Sequence, residues 1–193
     1  MAGDPMDLAY AAMDELGADV ADIRVSGDRD RDLHLPGVDV LLLGGVAIAS
    51  AFLKGLWSGV LKGSENAGEA VGKDLVQRFA KLAGSLLPRQ PAPAKNAGTG
   101  RTVPSSTSAA TTAAPSSADG LIEEFRSAAG DAQLALVRLG VAADDLRLYA
   151  TSAEIEVAAT LHALGLRADR VERIAPLATA KMLRQIELDE GQP

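Results

Sequence analysis

Apolar and polar positions alternate along this chain with periods that change four times. Between Asp4-Pro5 and Gly17, Met6, Ala9, Met13 and Leu16 fall on one stripe of a short helix. Asp before Pro is an N-cap followed by a preset first helical residue, and Gly supplies a stop. The period then drops to two. Ile23 and Val25 alternate as in a half-buried strand, Gly27 to Asp32 is a polar turn, and Leu33 and Leu35 alternate again. This pattern predicts a hairpin and, with the first helix, a small α/β head.

Residues 38–62 form the apolar element, with no charge from Val40 to Leu53. That uncharged run is short of the roughly 20 residues a spanning helix needs. Extension through Lys54 to Leu61 reaches that length, because a lysine near one end can snorkel. Two ridges recur at i+4 along it. Ser50, Lys54, Ser58 and Lys62 make a narrow polar stripe, and Ala47, Ala51, Gly55, Gly59 and Gly63 make a ridge of small residues. Helical Gly costs roughly 1 kcal/mol against Ala, so the ridge predicts close backbone approach, as where helices pair in lipid. Phe52 and Trp57 lie on the same helix, Trp57 near one end.

A second helix follows over 64–87. Asn66 and Glu69 have capping-box spacing, and Val71, Leu75, Phe79, Leu82 and Leu86 give it an apolar stripe. The two helices read as an apolar hairpin with a basic rim. Residues 88–118 are rich in Pro, Ser, Thr and Ala and are expected to be a disordered linker.

Over 119–193 the pattern Ala-Asp-x-apolar recurs at Ala118, Ala143 and Ala168, with Leu-Gly-apolar at Leu139 and Leu164 before the second and third. Asp starts a helix, and Gly followed by an apolar residue ends the one before. Three helices joined by short turns favour an up-down-up bundle. Their expected stripes are Leu121, Phe125, Ala128, Ala132 and Leu139; Leu146, Ala150, Val157, Leu161 and Leu164; and Val171, Ile174, Ala178, Met182 and Ile186, with Pro176 predicted to kink the last. The expected fold is therefore mainly α: a head and apolar hairpin over 1–87, a linker over 88–118, and a three-helix interaction bundle over 119–193.

Composition narrows the chemistry. The chain has no Cys and two His, which excludes a disulfide scaffold, thiolate sites and a His-rich metal centre. No catalytic, cofactor or metal residues stand out, nor does a Ser-His-Asp order or a pair of carboxylates. Asp28, Asp30, Asp32 and Asp39 fit four positions of a calcium-loop template, but Leu33 stands where Gly is required. Gly68 to Asp74 is one residue short of a phosphate loop and lacks its hydroxyl residue. His162 reads as a surface or edge residue.

Net charge is −7, and it is segregated. Residues 1–39 carry ten acids and three Arg, 40–89 carry six bases and three acids, and 119–193 carry thirteen acids and eight bases. An acidic chain is a poor general nucleic-acid binder. The basic stretch coincides with the apolar one, a pairing that suits an anionic membrane surface. Asp4 and Asp7 replace the basic start of a secretory signal, so the protein is expected to be cytoplasmic and not secreted, at the inner membrane face if it meets lipid.

Residues 164–174, Leu164, Gly165, Leu166, Arg167 and on through Arg170, Val171 and Arg173 to Ile174, resemble the turn and second-helix start of helix-turn-helix proteins. That resemblance implies a DNA-binding regulator with Arg167, Arg170 and Arg173 toward the duplex. Glu172, Pro176 and the acidic surroundings count against it.

The expected function is non-enzymatic. Residues 38–87 are expected to meet an anionic membrane surface or another copy of the chain, through Ala47, Ala51, Gly55, Gly59, Gly63, Phe52, Trp57, Lys54 and Lys62. Residues 119–193 are expected to dock an unidentified protein partner or to oligomerise, and the protein to be a homo-oligomer. The acidic head is expected to mask the basic hairpin until a partner engages the bundle. A soluble oligomeric scaffold is the further alternative.

Overall fold

The computed structural model describes residues 4–16, 37–63, 69–87, 118–141 and 143–190. Its helices are α1 (Met6–Leu16), α2 (Gly37–Gly63), α3 (Glu69–Leu86), α4 (Ala118–Leu139), α5 (Ala143–Leu146), α6 (Ala150–Ala163) and α7 (Ala168–Glu190), with a 3-10 turn at Arg147–Tyr149 joining α5 to α6. The protein is mainly helical, and no strand occurs among the described residues. The expected α/β head is thus not supported. Its strand positions at 20–25 and 33–35 lie outside the described residues, and what is described of the head is α1.

Local chemistry sets most helix ends. The Asp4 carboxylate accepts from the Met6 amide at 2.9 Å and starts α1. Gly140 and Gly165 have φ of 63° and 99°, the left-handed region that suits a residue without Cβ. After α4, the Gly140 amide donates to the Val137 carbonyl at 3.1 Å and the Val141 amide to Leu136 at 3.2 Å. Gly165 and Leu166 repeat this toward His162 and Leu161 at 3.0 and 3.1 Å. These are the paired bonds of a Schellman stop. The helix expected from Asp144 onward is interrupted at Arg147–Tyr149, where Tyr149 lies against Gly59. α7 continues through Pro176.

The centre of the fold is α2. It touches α1, α3, α4, α6, α7 and the 3-10 turn, most extensively α3 and α6. A helix apolar on all sides must be surrounded on all sides, and α2 is. Val46, Ile48, Phe52, Leu56 and Trp57 are wholly buried. The expected α4 and α7 stripes largely recur: Phe125, Ala128 and Ala132 are buried, as are Val171, Ile174, Ala178, Met182 and Ile186. Val71 departs from the α3 stripe and is 54% exposed.

The C-terminal helices do not pack as a self-contained three-helix bundle. α4 packs on α3 and α2, while α6 packs on α2 and α7. The reason is volume. The inward face of α4 is largely alanine (Ala128, Ala129, Ala132 and Ala135), and α6 meets α2 at Ala153, while α2 carries the bulk of Ile48, Phe52, Leu56 and Trp57. One hydrophobic core therefore joins both halves of the chain. Residues 88–117, nearly all of the expected linker, lie outside the described residues, and Ala118 is the first residue of α4.

Candidate functional site

The small-residue ridge is occupied from within. A Cβ on Gly55 would lie 2.6 Å from the Ala153 Cα and the Ser152 carbonyl oxygen, so α6 backbone sits directly on α2. One turn on, a Cβ on Gly59 would lie 2.8 Å from the Tyr149 Cβ. Ala47 and Ala51 are buried, as are Phe52 and Trp57, and Gly63 ends the helix. The close approach that the glycines predict is real, and its partners are α6, at Gly55, and the 3-10 turn before it, at Gly59. No part of the ridge from Ala47 to Gly59 faces outward in this state.

The polar stripe grades from inside to outside. The Ser50 hydroxyl is buried without a hydrogen-bond partner, and so is the Trp57 Nε1. Lys54 reaches the Glu156 carboxylate of α6 at 2.7 Å, with both side chains about one-third exposed. The Ser58 hydroxyl donates to the Lys54 carbonyl at 2.7 Å, a bond internal to the helix. Lys62 is exposed. Of the nine residues assigned to lipid or self-association, Lys62 is the one that the native fold leaves open to solvent among those whose exposure is described.

Among the described residues, ion pairs run between the two halves of the chain, and Asp19, Asp22, Asp28, Asp30 and Asp32 of the expected mask lie outside the described residues. The basic residues of α2 and α3 pair with the C-terminal half: Lys54 with Glu156, and Arg78 of α3 with Asp131 of α4 at 2.7 Å. The acids of α1 also turn to the C-terminal half. Lys181 of α7 bonds both Asp14 and, at 3.3 Å, Glu15, while Asp4 lies 3.9 Å from Arg126. The hydrogen bond to Asp14, with Glu15 adding to it and partial burial opposing, holds Lys181 above its ordinary 10.5. What α1 covers is the apolar side of α2. A Cβ on Gly45 would lie 2.6 Å from the Ala9 carbonyl oxygen and the Met13 Cγ.

Among the large apolar side chains left outside are Leu148 on the 3-10 turn and Ile155 on α6. Leu148 is 75% exposed and Ile155 65%, and Thr151, Ala159 and His162 continue the same exposed face. This face lies off the stripe that the pattern assigns to the core; the signal for it was Leu148 and Ile155 standing two helical turns apart with no charge between them on that side. A second exposed pair, Leu134 and Val137, lies on α4, and Val137 is 71% exposed.

The turn from α6 into α7 buries Leu164, Leu166, Val171 and Ile174 and exposes Arg167 and Arg173. Arg167 pairs with Asp169 at 3.6 Å, which reduces the positive charge available to a phosphate there. No group of three or more acidic or His residues capable of holding a metal occurs among the described residues. The calcium-template positions 28, 30 and 32 and the cap residue Asn66 lie outside them. Comparison with protein-family models, with curated proteins and with solved structures finds no match to this chain.

Proposed function

We propose that this chain is a non-enzymatic, cytoplasmic helical interaction protein that self-associates through the outward face of α6. The carrying observation is the uncharged strip Leu148, Thr151, Ile155, Ala159 and His162, with its two large residues 75% and 65% exposed. Its spacing reads the same in both directions from Ile155. Two antiparallel copies then set Ile155 on Ile155, Leu148 against His162, and the small Thr151 against the small Ala159. Self-complementary patches of this kind make twofold homodimers, the commonest assembly. Light scattering of the full chain over a concentration series tests it. The wild type is expected to dimerise, and L148E/I155E to stay monomeric with unchanged circular dichroism. A wild type that remains monomeric throughout refutes it.

A second reading rests on one observation of its own. Leu41–Lys62 is long and apolar enough to cross a membrane, and 78% of its most apolar window is buried in the fold. Lipid contact through α2 then requires the bundle to open, with Lys54 and Lys62 meeting anionic headgroups. Ser58 already bonds within its own helix, and the Lys54–Glu156 pair that ties α2 to α6 is only partly buried, so breaking that pair costs little. Flotation with anionic and neutral vesicles, read with Trp57 emission, tests this: no flotation and an unshifted Trp57 spectrum exclude it.

A further inference from the structure

We infer that the groove on α2 and α7 filled by α1 is an exchangeable docking groove for a short acidic amphipathic helix supplied by another protein. This stands apart from the α6 strip, and either can fail alone. The groove and its occupant are built as receptor and ligand. α1 has eleven residues, too few to be a stable helix by itself. It buries Met6, Leu8, Ala9, Ala12 and Leu16 against the rest of the fold. Among the described residues its ion pairs to that body are exposed or partly exposed: Asp14 and Glu15 with Lys181, and Asp4 at 3.9 Å from an Arg126 that lies closer, at 3.1 Å, to Glu123 of its own helix. Exposed pairs hold weakly and mainly select partners by charge. The twenty residues 17–36 separate α1 from α2, so α1 acts as a tethered competitor whose hold depends on local concentration.

The groove states what else it takes. Gly45 leaves room for a helix backbone to lie on α2, where the Ala9 carbonyl and the Met13 side chain now sit. Lys181 reads carboxylates near the C-terminal end, and Arg126 faces one before the N-terminal end. The partner is therefore a helix of about three turns, apolar on the groove side, with acids toward its ends. Helix-in-groove recognition of this kind is a recurrent mode. Docking displaces α1.

The probe is a fluorescent peptide of residues 1–16, added to the full chain and followed by anisotropy. The wild type is expected to bind it poorly, because its own α1 holds the groove. D14K/E15K turns attraction into repulsion at Lys181, and the peptide is expected to bind about tenfold more tightly. D14K/E15K/K181E restores the pairing within the chain and repels the peptide, so binding is expected to return to the wild-type level. Amide exchange of the wild type supplies a readout without substitutions: residues 8–16 are expected to exchange about tenfold faster than residues 46–60. Exchange of both segments at one rate, or equal peptide binding by the double and triple variants, overturns the inference. A concentration-dependent dimer of L148E/I155E, in which the α6 strip is removed, also overturns it, in favour of α1 exchange between copies.

Discussion

The contact between Gly55 and α6 makes one substitution diagnostic. Alanine at position 55 puts its Cβ 2.6 Å from both the Ala153 Cα and the Ser152 carbonyl oxygen. Both are backbone atoms, and neither can swing aside as a side-chain tip would. α2 and α6 must separate by several tenths of an ångström along the seam, loosening the packing of Phe52, Val157 and their neighbours. Overpacking of this kind costs about 1–3 kcal/mol. The gain in helix propensity from Gly to Ala is about 1 kcal/mol, so G55A is expected to lose about 1 kcal/mol net. Gly130 in α4 is the control, because a Cβ there meets nothing within 4 Å. G130A is expected to gain about 0.5–1 kcal/mol from propensity alone. The same atom added at two helical glycines therefore acts with opposite sign, and the two variants differ by about 2 kcal/mol. Urea unfolding followed by Trp57 fluorescence and by far-ultraviolet circular dichroism measures both. Two variants within about 0.5 kcal/mol of each other, the usual scatter of independent sites, would refute the claim that α6 backbone closes the ridge.

Other expectations follow from the same contacts. G165A forces a Cβ into φ 99°, and is expected to cost about 1–2 kcal/mol in the same urea assay. A double-mutant cycle of K54A and E156A is expected to give a coupling of about 0.5–1 kcal/mol that shrinks in salt, since both side chains are about one-third exposed. Lys181 has its affinity for a proton raised by folding, so its contribution is complete below 10.5 and is lost as pH rises through the higher folded value. K181A is therefore expected to lower stability at neutral pH and to be indistinguishable from the wild type in strong alkali, by denaturant titration at each pH. Trp57 is wholly buried, so acrylamide is expected to quench it far less than a free indole until the chain unfolds.

Much of the helical skeleton was legible because it is written locally. Gly140 and Gly165, each followed by an apolar residue, mark two helix ends that the structure confirms to the residue, and the α7 stripe from Val171 to Ile186 is wholly buried. The environment of α2 was not legible. An apolar run with a glycine ridge reads alike to lipid, to another copy and to its own chain, since all three offer a surface without hydrogen-bonding demands. The ridge specifies a close neighbour and is silent on which one. Long-range partners were invisible for a related reason: Lys54 meets Glu156 across 102 residues and Lys181 meets Asp14 across 167, and no local pattern links charges that far apart. The α1 stripe was read too narrowly because α1 is held by two helices, α2 and α7, which buries Leu8, Ala11 and Ala12 as well.

The order in which the molecule is made gives the central position of α2 another meaning. Ala153, which closes over Gly55, is synthesised 98 residues after it. At about 5–20 residues per second, the greasiest segment leaves the ribosome roughly 5–20 s before that cover exists. For that interval α1 and then α3 are the only covers the nascent chain has for α2, the Gly55 side lies open to whatever waits at the exit tunnel, and translation speed between the two positions sets how long chaperone and insertion machinery compete for it.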